Sequence, residues 1–389
     1  MRIFVLGAGA TGSLIAKLLV RQGHHVACGD RDTSRARAFL GERPFIALVR
    51  VNARRLHDVV RAARGCQLLV NACPTVFNNI VLRAALRLRA HYLDTASHLR
   101  QSAFRPEQFT FDAKFLNKGR TALIQAGAAP GLTNLLAAQA ASSLDELDAI
   151  KIRLFEGTQS DDPVSQWSAE ASFDEAISKP RVYRDGRFVF AKRFGDREVF
   201  RFAPPIGRAA VMLAAQDEVV TIPHTFRMRE MDVKIGGPDI DRLRRWFRQG
   251  KLSRSRGLVS ARFPPTPTPR LMTSLVRRRI LQNARFGMAV LAYGRVHQRA
   301  VLVRWDAGFP SLAHLRRRNV LCAPIAWATA HMAAIFIKHF PRHTAGVLSP
   351  DALPAATRAK ILAAVRSRGI RLSKRVTALK NLDHPHGLA

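Results

Sequence analysis

Three glycines in the run Gly7-Ala8-Gly9-Ala10-Thr11-Gly12 are spaced for one kind of chemistry, the close approach of bare backbone to a pyrophosphate. The first glycine allows a sharp turn. The second leaves room for the phosphates, and the third lets the next helix pack tightly on the preceding strand. Ala10, Thr11 and Gly12 then begin a helix, whose first-turn amides and positive dipole end face the anion. Eighteen residues beyond Gly12 stands Asp30, an acidic side chain at the offset that bonds an adenosine ribose hydroxyl. Arg31 follows directly, where a cation meets the 2′-phosphate of NADP. Asp30 argues for NAD and Arg31 for NADP, so the sequence supports NADP or NAD. The structural alternative for Asp30 is a turn cap ahead of the helix that begins near Thr33.

Three later segments carry further chemistry. In Asn71-Ala-Cys-Pro74-Thr-Val-Phe77, Asn71 and Pro74 suit a loop lying along a nicotinamide ribose. His91-Tyr-Leu-Asp94-Thr-Ala-Ser-His98 sets a carboxylate and an imidazole at the end of the next strand. Gln125 to Asn134, with Gly127, Pro130 and Gly131, combines glycine freedom, proline stiffness and a following helix, the makings of a second anion site.

These loops need a scaffold that brings them to one edge. Apolar runs at Arg2–Leu6, His25–Gly29, Ala47–Val51, Gln67–Asn71, Tyr92–Asp94 and Thr121–Gln125 read as buried strands. Between them, helical periodicity covers Ser13–Arg21, Thr33–Leu40, Ala53–Ala63, Phe77–Leu88 and Pro106–Asn117. This alternation is the mark of an α/β domain, a doubly wound parallel sheet of the Rossmann type, with ligands at the C-terminal strand ends. Thr133–Ala141 reads as a helix. From about Ile150 short strands take over: Ile152–Phe155, Val182–Tyr183, Phe188–Phe190, Glu218–Ile222 and Met231–Ile235, with a turn at Asp185-Gly186. Arg285–Tyr293 and Val296–Trp305 read as a hairpin about Gly294. The expected organisation is a dinucleotide-binding domain at 1–126 and an α+β substrate and dimerisation domain at 127–322. C-terminal helices at 323–373 return to the first domain, and a frayed tail occupies 374–389. Pro264 to Pro269 reads as a stiff loop.

Composition sets outer bounds. At 389 residues and 47% hydrophobic content, the chain is globular and long enough for more than one core. Cys28, Cys66, Cys73 and Cys322 lack paired metal spacing and read as reduced core residues, with no metal implied. No charged leader with an apolar core precedes the first strand, which fits a cytoplasmic protein. The uncharged stretch Asn319–Ile337 contains Pro324 and His331 and reads as a buried helix, so no membrane partner is expected. The formal net charge is +35, and 19 basic residues face two acids between Asp241 and Val320. Such a surface attracts polyanions non-specifically, but no interleaved aromatic platform or zinc module accompanies it. It is read as a solvated arginine-rich surface, without a specific nucleic-acid partner.

The fingerprint, the NACP loop, HYLDTASH, and above all GAAPGLTNLLAAQAASSLDELDAI from Gly127 resemble the saccharopine dehydrogenase-like family. That group includes saccharopine reductases, lysine 6-dehydrogenase and carboxynorspermidine dehydrogenase. The likeness continues through Trp167 to Ala176, Pro180 to Gly186, Pro204 to Gly207, Glu218 to Pro223 and Gly346 to Pro350. Gln216-Asp217 departs from it, since many relatives carry a histidine there. The resemblance implies NAD(P)-dependent hydride transfer at a C–N bond of an amino acid or polyamine-type substrate, and a homodimer. It makes Asp94 and His98 candidate acid/base residues and draws Gly127 into the cofactor site. Pro130, Gly131, Asn134, Glu156 and Glu170 become candidate substrate contacts, with Arg153, Arg181 and Arg208 as possible carboxylate grips. A plain loop histidine, a capping aspartate and two solvated glutamates are the structural alternatives. A non-catalytic dinucleotide-binding or redox-sensing protein of the same fold, and a polyanion-binding protein, remain as alternative functions.

Overall fold

The computed structural model describes residues 1–41, 45–252 and 264–380, without the side chains of 170 and 171. Its strands are β1 (Arg2–Leu6), β2 (His25–Asp30), β3 (Ile46–Arg50), β4 (Leu68–Asn71), β5 (His91–Asp94) and β6 (Thr121–Leu123). There follow β7 (Glu146–Ser160), β8 (Arg181–Arg184), β9 (Arg187–Phe190), β10 (Glu198–Arg201), β11 (Arg208–Leu213) and β12 (Glu230–Gly236). The series ends with β13 (Leu281–Val296), β14 (Arg299–Gly308), β15 (Gly346–Leu348) and β16 (Arg371–Ala378).

The chain divides into two compact units, the first comprising Met1–Leu132, Pro267–Met272 and Ala326–Val365. Its sheet is parallel throughout, in the order β15-β6-β5-β4-β1-β2-β3. Without β15 this is the Rossmann order, reversing direction between β1 and β4. Ile3, Val5, Leu68, Val70 and Leu93 are as deeply buried as their neighbours Phe4, Leu6, Leu69 and Tyr92. Burial of both faces explains why these strands read as unbroken apolar runs. One face packs Phe4, Leu69 and Tyr92 with Val59, Val81, Leu82 and Phe115 from the helices Leu56–Ala62, Asn78–Leu88 and Asp112–Asn117. The helix Pro324–Lys338 is 15 residues long, about 22 Å at the usual rise. Among the described residues no helix is long and apolar enough to cross a membrane.

The second unit, Thr133–Thr266, Thr273–Ile325 and the stretch from Arg366, holds a mixed sheet ordered β10-β11-β12-β7-β13-β14-β16. β12 runs parallel to β7, and the other pairs along this path are antiparallel. The architecture is therefore α/β with a second α+β sheet, as the sequence implies.

Gly346–Leu348 is a strand within the expected C-terminal helices, and three further details differ from expectation. Glu218–Ile222 is not a strand: Glu218–Val220 forms a 3-10 turn, and Ile222–Thr225 is a short helix with Pro223 in its first turn. Proline fits there because that turn needs no amide donor. The hairpin turns at His297-Gln298, both at positive φ, and not at Gly294. Gly294 lies inside β13 because a Cβ there would sit 2.0 Å from the Glu146 carbonyl oxygen of β7. The segment expected to fray from 374 is instead strand to Ala378, paired with β14, while residues 381–389 lie outside the described residues.

Candidate functional site

In the first unit, the β1 turn has the geometry of a pyrophosphate cradle. Gly7 takes φ +92°, and a Cβ on it would lie 2.8 Å from the Ala72 backbone. A Cβ on Gly12 would lie 1.8 Å from the Gly7 carbonyl oxygen. Gly9 differs, since a Cβ there would meet nothing within 4 Å. Two glycines are thus required by the fold, and the third faces open space where a ligand fits. The helix Ala10–Arg21 starts at Gly9 without a side-chain cap, so Ala10, Thr11 and Gly12 present the positive end of its dipole.

Asp30 supports this loop directly. Its Oδ2 accepts from the Ala8 N–H at 2.8 Å, and its Oδ1 accepts from the Asp32 N–H at 3.0 Å. The cap of the Thr33–Leu40 helix is Asp32, which accepts from the Arg35 N–H at 2.9 Å. Arg31 is exposed beside it. Asn71, 1% exposed, receives the Cys73 N–H at 3.1 Å and donates to Asn78 Oδ1 at 2.8 Å, fixing the bend that leads to Pro74.

Asp94 ends β5. Its carboxylate is buried and accepts from the Tyr92 hydroxyl at 2.9 Å, the Gln108 amide at 3.0 Å and the Gln125 N–H at 2.8 Å. These three donors tie the strand end to the segments that carry Gln108 and Gln125. Tyr92 precedes it by two residues on the same strand face, which is the sequence signal for that bond. His98 lies near the same edge with its side chain 14% exposed, Nε2 3.9 Å from Glu107 Oε1. Burial alone would raise the Glu107 pKa. The Gln101 N–H, the Asn79 amide, His98 and the Arg100 N–H outweigh it and hold the carboxyl below its ordinary range.

The loop from Gly127 closes on itself: Gly127 N donates to the Pro130 carbonyl at 3.1 Å, and Leu132 N to the Gly127 carbonyl at 3.0 Å. Gly131, at φ +130°, admits no side chain, since a Cβ would lie 2.0 Å from the Gly127 oxygen. Pro130 and Gly131 are buried. Asn134, in the second unit, is wholly buried and donates to Thr221 Oγ1 at 3.0 Å. Its neighbour Thr133 donates to Glu218 Oε1 at 2.7 Å. These side chains tie the helix Leu132–Ala141 to the 3-10 turn.

The second unit contains a pocket that the sequence only half revealed. Glu156, Glu175 and Asp239 line it together with Trp167, Trp246 and Arg193, around a cavity of about 90 Å³. Burial, then the Asp239 charge, pushes the Glu156 carboxyl up to about 8 against a hydrogen bond from Trp167. Glu175 lies well above its ordinary value through burial and the charges of Glu156, Asp217 and Glu218, and Gln216 donates to it. Burial raises Glu218 to about 7. Asp239 is raised by burial although Thr158 Oγ1 donates to it at 2.6 Å and the Gln166 amide at 3.1 Å. Burial thus raises all three carboxyls of the pocket, and a neighbouring carboxylate adds to it at Glu156 and Glu175. Glu175 and Asp239 escaped the sequence reading because the chain brings them to Glu156 from separate helices. Glu170 lies in the helix Ala169–Ile177, its side chain outside the described residues.

Other candidates are committed elsewhere. Arg153 is buried and paired with Glu198 and Asp232, so it grips no ligand carboxylate. Arg208 is exposed, and half-buried Arg181 is influenced by Asp217. Among the described residues no group of His, Cys, Asp and Glu fits a metal ion, and all four cysteines are free. Burial raises Cys28, Cys66 and Cys73 to about 12, so they are unreactive thiols.

The raised carboxylates set a pH dependence. A group that holds its proton more tightly when folded stabilises the fold below its unfolded value, and that stability fades as pH climbs through the folded value. For Glu156 and Glu218 the window runs from 4.5 to about 8 and about 7. The urea midpoint is expected to fall across that window, and Glu156→Gln to flatten the fall. An equal slope in both proteins would remove the pocket as its source.

The fold and the glycine turn define an NAD(P)-binding protein of the Rossmann type. The comparisons narrow it: residues 3–123 match the saccharopine dehydrogenase NADP binding domain. Apo saccharopine dehydrogenase (L-Glu forming) from Saccharomyces cerevisiae superposes with a TM-score of 0.72 at 11% identity, over 97% of this chain and 100% of that one. At that identity the likeness speaks for the fold. A multiply substituted meso-dapdh from Clostridium tetani, solved with DAP, has a TM-score of 0.43 at 10% identity over 92% of this chain and 95% of that one. Likeness at that level bears on neither fold nor function.

Proposed function

We propose that the protein oxidises or forms a C–N bond in an amine, an amino acid or a polyamine-type compound, with NAD(P) as hydride acceptor or donor. The observation that carries this reading is the carboxylate pocket of Glu156, Glu175 and Asp239 in a chain of net charge +35. A basic protein that gathers buried acids against two tryptophans has built a seat for an ammonium group. When bound, the nicotinamide supplies the hydride chemistry. The chain's own residues hold and orient: Gly7, Gly9, Ala10, Thr11 and Gly12 cradle the pyrophosphate, and Asp30 and Arg31 flank the adenosine ribose. Asn71, Pro74 and Gly127 shape the nicotinamide side.

Asp94 acts as a positioning residue, fixing Gln125 and Gln108. His98 is the proton-carrying candidate of that edge, because its ring keeps access to solvent while Glu107 faces it. In the pocket, the Glu156 carboxylate, raised to about 8, is a stronger proton acceptor than an ordinary glutamate.

A thermal scan with NAD, NADP and a panel of lysine, saccharopine, diamines and polyamines tests the reading. Ligands that bind only the folded state raise the midpoint by mass action. At least one amine is expected to raise it in the parent protein and to lose most of that rise in Glu156→Gln/Glu175→Gln, with the NAD(P) rise intact. Cofactor stabilisation without any amine effect or turnover would favour the redox-sensing alternative.

A further inference from the structure

We propose that the second unit holds a separate site for an anionic head group carried on an apolar body, a carboxylate or phosphate ester of an alkyl or aryl chain. The site is a cavity of about 320 Å³ at one end of the β13–β14 hairpin, floored by Phe202, Ile206 and Met288. Arg285, His314, Arg317 and Arg371 stand around it, and no aspartate or glutamate lines it among the described residues.

Two features separate this cavity from a merely basic surface. The first is a glycine pair. Gly287 of β13 and Gly308 of β14 stand directly opposite each other, so both lack a side chain on the same face of the sheet. Glycine inside a strand costs backbone entropy and gives up packing, and it marks close approach by something else. Gly287 has a reason within the protein, since its Cβ would lie 2.4 Å from Ile206 Cδ1. Gly308 has none: a Cβ there would make only ordinary contacts, the nearest at 3.5 Å to the Arg371 guanidinium. The Arg371 side chain lies over the bare strand at Gly308.

The second feature is the state of the cations. Arg285, Arg317 and Arg371 have no carboxylate within 4.0 Å among the described residues. In the acidic pocket of the same unit, by contrast, Arg242 pairs with Asp239 at 3.8 Å and donates to the Ser160 carbonyl at 3.0 Å. Three unpaired guanidiniums over an apolar floor complement one head group with a hydrophobic tail. A bare polyanion would leave that floor unfilled, and an amine would meet only like charge.

The full-length protein is titrated by calorimetry with octanoate, octyl phosphate, 1-octanol and acetate. Octanoate or octyl phosphate is expected to bind once per chain, about tenfold or more tighter than both octanol and acetate, since head and tail each contribute. The tighter of the two anions identifies the head group. Arg371→Met should weaken that binding by about tenfold, the loss of one charge-assisted contact. Gly308→Val should abolish it, while the midpoint rise produced by NAD(P) stays. Should Gly308→Val fail to fold, Arg371→Met, exposed at a strand end, carries the test alone. Octanoate and octyl phosphate no tighter than octanol, or affinity unmoved by Arg371→Met, would overturn the site.

Discussion

A Gly9→Asp protein is expected to fold as the parent does and to lose affinity for NAD(P) by about 100-fold or more. The two halves of that expectation come from different facts. A side chain at Gly9 would meet nothing within 4 Å, so the apo fold has no reason to resist it. The same emptiness is where the proposed site would take a pyrophosphate against the amides of Ala10, Thr11 and Gly12. A carboxylate about 4 Å from a phosphate charge costs about 4 kcal/mol at a surface-like dielectric, more than enough for a hundredfold loss. Gly12→Val should fail in the other order. Its Cβ would lie 1.8 Å from the Gly7 carbonyl oxygen, so the stability of the first unit drops before binding is in question. Fluorescence titration with NADH and NADPH, beside a urea melt, reads both quantities. Retention of affinity within about threefold in Gly9→Asp would mean that the dinucleotide does not lie on this turn.

The reason the first unit was so readable lies in its burial. Arg2–Leu6 and Leu68–Asn71 are covered on both faces, so each strand is a short apolar run, and the glycines and helices between them punctuate the pattern. The second unit follows another logic. β7 is 15 residues long and carries Lys151, Arg153 and Glu156 among its apolar residues, so only its central Ile152–Phe155 looked like a strand. Buried charge interrupts the alternation that marks a strand, and the partners that make such burial tolerable come from β10 and β12, far along the chain. Glu218–Ile222 misled for the opposite reason, since its β-branched residues read as a strand. Thr133 and Asn134 hold Glu218 and Thr221 from a helix some 85 residues earlier, and no local pattern records that.

The candidate site shows the same division. The glycine turn is legible because its chemistry is written in consecutive residues. The carboxylate pocket is not, because Glu156, Glu175 and Asp239 are separated by strands and helices whose packing had to be known first. One signal was available: in a chain with 63 basic and 28 acidic residues, each acid next to a strand end merits a question. Glu156 stands directly after the strand-like Ile152–Phe155. Asp94 was legible as a strand-edge carboxylate, but its partners were not, since Gln108 reaches it from the 3-10 turn Glu107–Phe111 and Gln125 from the segment after β6.

The largest stability effect is expected at Arg153. β7 and β12 run parallel with Arg153 directly opposite Lys234, a cross-strand pair of like charges that is destabilising by itself. Both side chains are almost fully buried, at 3% and 2% exposure. Three carboxylates make the arrangement tolerable. Glu198 takes Arg153 on one oxygen and Lys234 on the other at 2.9 Å, Asp232 takes Arg153, and Asp196 takes Lys234 at 3.2 Å. Burial pushes Asp196 up, but Lys234, Arg184 and Arg153 outweigh it and hold the carboxyl below its ordinary range. Arg153→Met therefore strips Asp232 of its cation and halves the compensation of Glu198. Removing one partner from a buried ion pair costs about 3–5 kcal/mol, because the charge left behind stays in a poor solvent. Urea unfolding should show that loss, and Arg153→Met/Asp232→Asn should recover part of it, since the stranded charge is removed as well. A cost below about 1 kcal/mol for Arg153→Met would place the network in effective contact with water, where such pairs contribute little. The two cations would then be a surface feature folded inward, and the second sheet would owe its order to its apolar residues alone.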